Sequence, residues 1–83
     1  MWNVYILRCA DSSLYTGIAK NVDERISLHN AGRGAKYTRS RLPVELVYRE
    51  SVESRESALR REIEIKRLER GEKLKLIASF AGG

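Results

Sequence analysis

Trp2-Asn3-Val4-Tyr5-Ile6-Leu7-Arg8-Cys9-Ala10-Asp11-Ser12-Ser13-Leu14-Tyr15-Thr16-Gly17-Ile18 decides the fold. Trp2 to Leu7 mixes β-branched and aromatic side chains and reads as a strand. Asp11-Ser12-Ser13 is turn chemistry, and Leu14 to Ile18 resumes the strand pattern, so the two runs predict a β-hairpin. Gly17 lies inside the second run, where a glycine marks a bulge or a close approach by another group. The hairpin also sets Tyr5 and Tyr15 on neighbouring strands.

C-terminal to the hairpin, Asn21 is a good N-cap and Glu24 stands three residues on, as in a capping box. A helix is predicted to about Ala31, with Gly32 as its stop. Arg33 to Leu42 reads as a basic loop with one aromatic, Pro43 ends it, and Val44 to Tyr48 reads as a third strand. Ser54 can cap a longer helix from about Arg55 to Arg70, which Gly71 should break. Glu72 to Phe80 is a short amphipathic helix with Leu74, Ile77 and Phe80 on one side. The order β-β-α-β-α-α predicts an α+β fold: a small three-stranded antiparallel sheet flanked by helices. Residues 1–80 should form a single domain, with 81–83 a frayed tail.

Composition narrows the function. The chain has 83 residues, too few for a second domain or a deep pocket around a large cofactor. Sixteen Lys and Arg against eleven Asp and Glu give a net charge of +5, a balance that favours a polyanionic partner. Cys9 is the single cysteine, so neither an intrachain disulfide nor a Cys/His zinc cluster can form, and it reads as a core or strand-end residue. No stretch approaches the ~18 apolar residues of a membrane span. The N-terminal residues lack a signal-peptide pattern, and a cytoplasmic location is expected.

The informative residues are polar ones on faces that should be buried. On the first helix, Val22, Ile26 and Leu28 mark the apolar arc, and Arg25 and His29, four apart, fall within it. On the long helix, Ala58, Leu59, Ile63 and Ile65 define the arc, and Glu62 falls inside it. An unpaired carboxylate there would cost several kcal/mol, so Glu62 needs a cation, either a side chain such as Arg25 or a metal ion. Each residue has an ordinary structural explanation as well: tyrosines with satisfied hydroxyls, a buried histidine, an Arg25–Glu62 ion pair, a solvated basic turn. Taken together, two phenols, a guanidinium, an imidazole and a carboxylate are what phosphodiester hydrolysis would use.

In this combination the chain resembles a GIY-YIG nuclease domain. Asn3-Val4-Tyr5 resembles the first half of the signature, with Asn where the family has Gly, and Tyr15-Thr16-Gly17 resembles the second half, with Thr in place of Ile. Asn21 to His29 is similar to the family's first helix, which carries an arginine and then a histidine or tyrosine four residues on. Ala58-Leu59-Arg60-Arg61-Glu62 is similar to the later helix with its metal-binding glutamate. The likeness covers about residues 2–70 and is greatest to the small stand-alone bacterial members. Gly34-Ala35-Lys36-Tyr37-Thr38-Arg39 is similar to a loop of members that cut branched DNA. Ile18 stands where excision-repair relatives carry a lysine.

The resemblance implies a metal-dependent DNA endonuclease that hydrolyses phosphodiester bonds, on branched or damaged DNA of the kind met in DNA repair. One divalent cation, Mg²⁺ or Mn²⁺, would be held by Glu62. Tyr15 would act as general base, helped by the metal or by His29, since a phenol is rarely ionised at neutral pH without nearby cations. Tyr5 would orient the water or the phosphate, and Arg25 would neutralise charge on phosphorus. Lys36, Arg39 and Arg41 would contact DNA phosphates, with Lys20 near the active face, and Tyr37 would stack on an exposed base or pack against the third strand. Three rivals remain at this point: a catalytically silent DNA-binding module of the same fold, an RNA- or ribosome-associated protein, and a docking module whose protein partner supplies specificity.

Overall fold

The structure is a computed structural model and describes residues 1–82. β1 (Trp2–Arg8) and β2 (Leu14–Ala19) form the hairpin, followed by α1 (Val22–Asn30), a short α2 (Lys36–Arg39), β3 (Glu45–Val52), α3 (Arg55–Arg67) and α4 (Arg70–Gly82). The sheet is antiparallel in the order β2-β1-β3, so β1 is central. A central strand covered on both faces needs apolar residues at every position rather than at alternate ones. That is why Val4, Tyr5, Ile6 and Leu7 are all buried.

Alternation along β1 divides the core in two. Tyr5, Leu7 and Cys9 pack with Ala19, Val22 and Val44 on the α1 side. Val4 and Ile6 pack with Tyr48, Ala58 and Ile65 on the side of α3 and α4. The β1–β3 ladder slips between Ile6 and Leu7, which pair with Tyr48 and Leu46 and leave Val47 as the extra residue of a bulge.

The expected caps form. Asn21 Oδ1 accepts from the Glu24 N–H at 3.0 Å, and Ser54 Oγ accepts from the Ser57 N–H at 3.1 Å. Gly32, at φ 77°, closes α1 with the paired terminal bonds of a Schellman motif, Gly32 N–H to His29 O and Arg33 N–H to Leu28 O. Asn30 then clamps the start of β3, accepting from the Val44 N–H at 2.8 Å and donating to Val44 O at 3.1 Å. Asn3, the residue at the family's glycine position, ties the three strands together. Its amide donates to Ala19 O and Lys20 O, and its carbonyl accepts from Ser51.

Five expectations need correction. The stretch 33–42 is not all loop, since α2 occupies Lys36–Arg39. β3 runs on to Val52 because Arg49 and Ser51 face solvent while Tyr48, Glu50 and Val52 turn inward. Gly71 does not break the helix. The break falls at Leu68 and Glu69, where Glu72 reaches back to the Glu69 N–H, starts α4 and leaves Gly71 within it. Ile63 is 49% exposed, because it lies about 140° around α3 from Ala58. The residues of α3 that turn toward the sheet are Ala58, Arg61, Glu62 and Ile65, and Arg61 is bound to Glu50 of β3 at 2.7 Å. The tail expected to fray over 81–83 is also shorter than that, since α4 runs on to Gly82, and Gly83 lies outside the described residues. Among the described residues no helix is long and apolar enough to cross a membrane.

Candidate active site

Gly17 is opposite Tyr5 in the β1–β2 ladder, and the Tyr5 ring lies over it. A Cβ at residue 17 would come within 2.6 Å of the phenol oxygen, so the strand glycine marks a close approach, as its position suggested. The Tyr5 ring is 1% exposed, and its hydroxyl reaches His29 Nε2 at 3.0 Å. His29, on the inner face of α1, has no exposed surface and rests against Gly34, where a Cβ would overlap the imidazole. Its other nitrogen, Nδ1, meets Thr38 Oγ1 at 2.8 Å, and Thr38 donates to Ala35 O at 2.9 Å.

Tyr15 completes an aromatic cluster, with its ring centroid 6.5 Å from Tyr5 and 5.4 Å from His29. Burial pushes the Tyr5 phenol up to about 12, and the neighbouring Tyr15 and the Glu62 carboxylate add to the rise. The Arg25 guanidinium beside Tyr5 opposes it. Burial, and then the charge of Arg25, hold the His29 imidazole below its ordinary 6.5, so it is neutral at pH 7. The Glu62 side chain is 17% exposed, and its ion-pair partner among the described residues is Lys66, four residues on, at 3.5 Å. No Arg25–Glu62 ion pair forms among the described residues; the side-chain cation beside Glu62 is Lys66.

Tyr5, Tyr15 and His29 thus form one cluster, with the Arg25 guanidinium beside Tyr5 and the Glu62 carboxylate near enough for its charge to act on the Tyr5 phenol. The residues expected to bind nucleic acid divide. Lys20 lines a cleft with Asn21, Glu24 and Arg25, and its ammonium lies 5.6 Å from the Trp2 ring. Lys36 and Arg39 are exposed at the two ends of α2. Tyr37 is 40% exposed and stacks on Tyr15 at 6.1 Å, so it packs against β2 rather than the third strand. Arg41 is engaged within the protein. It pairs with Asp11 at 3.1 Å, donates to Tyr37 O at 2.7 Å and lies over the Tyr37 ring. Sequence reasoning missed Thr38 and the packing role of Gly34, and it also missed Lys66 and Lys73, which line a second cleft beside Tyr15 and Tyr37. A buried threonine carries no periodic signal in so short a helix. Gly34, a glycine with no turn to explain it, was the available hint.

A model of the GIY-YIG catalytic domain matches residues 1–75. The chain belongs to the GIY-YIG family. Membership places it in a family of nucleases and implies DNA as substrate. A UPF0213 protein of Staphylococcus haemolyticus is 58% identical over 74 residues, covering 89% of this chain and 90% of the relative. A UPF0213 protein of Natronomonas pharaonis is 53% identical over 79 residues, covering 95% and 93%. The solution structure of a UPF0213 protein from Bacillus halodurans is 48% identical, with a TM-score of 0.59 over 94% of this chain and 84% of that one. The relatives are therefore small stand-alone GIY-YIG proteins of similar length.

Among the described residues no three His, Cys, Asp or Glu side chains cluster as a metal cage. Glu62 still suits a magnesium-type ion. A single hard, largely shielded carboxylate can share such an ion with waters and phosphate oxygens, and Lys66 is a displaceable neighbour.

Proposed function

We propose that the protein is a divalent-metal-dependent DNA endonuclease acting on branched or damaged DNA. The observation that supports this reading is the Tyr5–Tyr15–His29 cluster, with the charges of Arg25 and Glu62 close enough to act on the Tyr5 phenol. Glu62 would hold one Mg²⁺ or Mn²⁺, which when bound supplies charge to polarise the scissile phosphate and stabilise the leaving oxygen. Tyr15 would act as general base toward a water attacking phosphorus. Tyr5 keeps its own proton at neutral pH, so its part is to position that water or a phosphate oxygen. Arg25 would offset the charge that builds on the pentacoordinate phosphorus. His29, wholly buried, acts through Tyr5 rather than on solvent.

Lys20, Lys36 and Arg39 would contact phosphates. Arg41 props Tyr37, which would offer its free surface to a base. The likeness of the 34–39 segment to a loop of branched-DNA nucleases supports that substrate class.

The test compares the wild type with Glu62→Ala on labelled duplex, flap and four-way-junction DNA, with Mg²⁺, Mn²⁺ or EDTA. Metal-dependent cutting that falls by ~10²-fold or more in the variant is expected, the scale for losing one electrostatic element. Tight DNA binding without any cutting by the wild type would replace this reading with the silent binding module. Turnover unchanged in Tyr15→Phe would remove Tyr15 as the base.

A further inference from the structure

The hydrogen bonds around His29 point to where its proton sits. Thr38 carries one hydroxyl proton, and Ala35 O accepts it at 2.9 Å. Toward His29 Nδ1, at 2.8 Å, the same oxygen can therefore only accept, so Nδ1 carries the hydrogen. A neutral imidazole protonated at Nδ1 has a bare Nε2, which accepts the Tyr5 O–H at 3.0 Å. Every bond in the series runs the same way: Tyr5 O–H to His29, His29 N–H to Thr38, Thr38 O–H to a backbone carbonyl. With its proton aimed inward, the Tyr5 oxygen keeps its remaining lone pairs for a donor, and the Arg25 guanidinium lies beside it.

We propose that Thr38 is a positioning residue for the nuclease reaction. By selecting the Nδ1–H tautomer of His29, it makes Tyr5 an acceptor toward the Arg25 guanidinium, holding that charge in place for the phosphate, instead of a second donor facing it. The proposal rests on the nuclease reading for its catalytic consequence but not for the tautomer. Thr38 is suited to the task because it is fully buried and its neighbours are not. Lys36, Tyr37 and Arg39 of the same short helix face outward while Thr38 alone turns in. Without the Thr38 oxygen, the buried Nδ1–H would lack an acceptor, and that free energy favours moving the hydrogen to Nε2. Nε2–H would then donate to Tyr5, whose own O–H would turn toward the Arg25 guanidinium, donor against donor.

His29 is the single histidine of the chain, so its two ring nitrogens can be read without ambiguity by ¹⁵N NMR. The experiment measures them at neutral pH in the wild type, Thr38→Val and Thr38→Ser, alongside kcat and KM on the DNA that the wild type cuts. The wild type and Thr38→Ser should show Nδ1 protonated and Nε2 bare. Thr38→Val should show the reverse, with kcat about 10–100-fold lower and KM little changed, the scale at which hydrogen-bond partners of functional histidines act. A wild-type imidazole protonated at Nε2 overturns the proposal whatever the activity. So does a folded Thr38→Val that keeps wild-type kcat, or a Thr38→Ser as impaired as Thr38→Val. Should the wild type cut no DNA at all, the nuclease reading fails while the ring nitrogens still decide the tautomer.

Discussion

Gly17→Ala should unseat the site from beneath. The added Cβ would lie 2.6 Å from the Tyr5 hydroxyl oxygen, 2.7 Å from its ring carbon Cζ and 3.1 Å from the Tyr15 ring. Tyr5 cannot swing out to make room, because it is buried and bound to His29 at 3.0 Å. Overpacking of this kind costs ~1–3 kcal/mol. A shift that breaks the Tyr5–His29 bond leaves a buried acceptor unsatisfied, for ~1–3 kcal/mol more. The lower entropy of the unfolded alanine chain offsets ~0.4–1 kcal/mol. The net destabilisation is about 3 kcal/mol, which for a domain of this size lowers the melting temperature by roughly 10–25 °C. Thermal and urea unfolding measure it, and the same change made in a Tyr5→Leu background should cost far less, since the colliding phenol is gone. A Gly17→Ala protein with wild-type stability in the Tyr5 background would refute the contact.

Other positions give contrasting outcomes. Gly71 has no neighbour within 4 Å of where its Cβ would lie and sits in α4, so Gly71→Ala should stabilise by ~0.4–1 kcal/mol in the same unfolding assay. His29 has its proton affinity depressed on folding, so the unfolded chain binds the extra proton more readily. Its contribution to stability is therefore complete above 6.5 and declines as pH falls below that value toward the depressed native one. Chemical unfolding of wild type and His29→Gln from pH 7.5 down to about 5 should show a slope in the wild type that the variant lacks. For DNA binding, Lys36→Ala with Arg39→Ala should flatten the plot of log affinity against log salt by ~1.8 on duplex DNA, whereas Lys75→Ala on α4 should leave the slope alone.

The strands, caps and major helices were legible because each rests on a local signal. Asn21, Ser54 and Gly32 act through bonds to residues within four positions of themselves, and the sequence displays such spacings directly. Glu62 was legible by a different route, as a charge on a face that should be apolar, and it is shielded as that logic required. Ile63 shows the weakness of the same projection. A hydrophobic residue at a helix edge is tolerated in solvent, whereas a carboxylate facing the sheet needs a partner. The break at Leu68 was hidden because Gly71 is the stronger punctuation, yet a Glu72 side chain reaching back to Glu69 decided where α4 starts. Thr38 and Gly34 were out of reach because their meaning is a contact with His29 across the chain, with no period to announce it.

The site and the core are partly the same atoms, which governs how any variant here must be read. Thr16, His29 and Thr38 are the buried polar residues, and two of them form the series of bonds that holds Tyr5. No buried side-chain nitrogen or oxygen among the described residues lacks a partner, so that series is satisfied end to end. Deleting Tyr5, His29 or Thr38 therefore removes packing as well as chemistry, and lost activity in such a variant is ambiguous until the fold has been measured. Tyr15 and Glu62 are different. Both are partly exposed, and neither is among the residues that form the buried core. A loss of cutting in Tyr15→Phe or Glu62→Ala with an unaltered melting temperature would be a loss of chemistry. A fall in melting temperature equal to that of Gly17→Ala would instead mean that these two side chains hold the domain together.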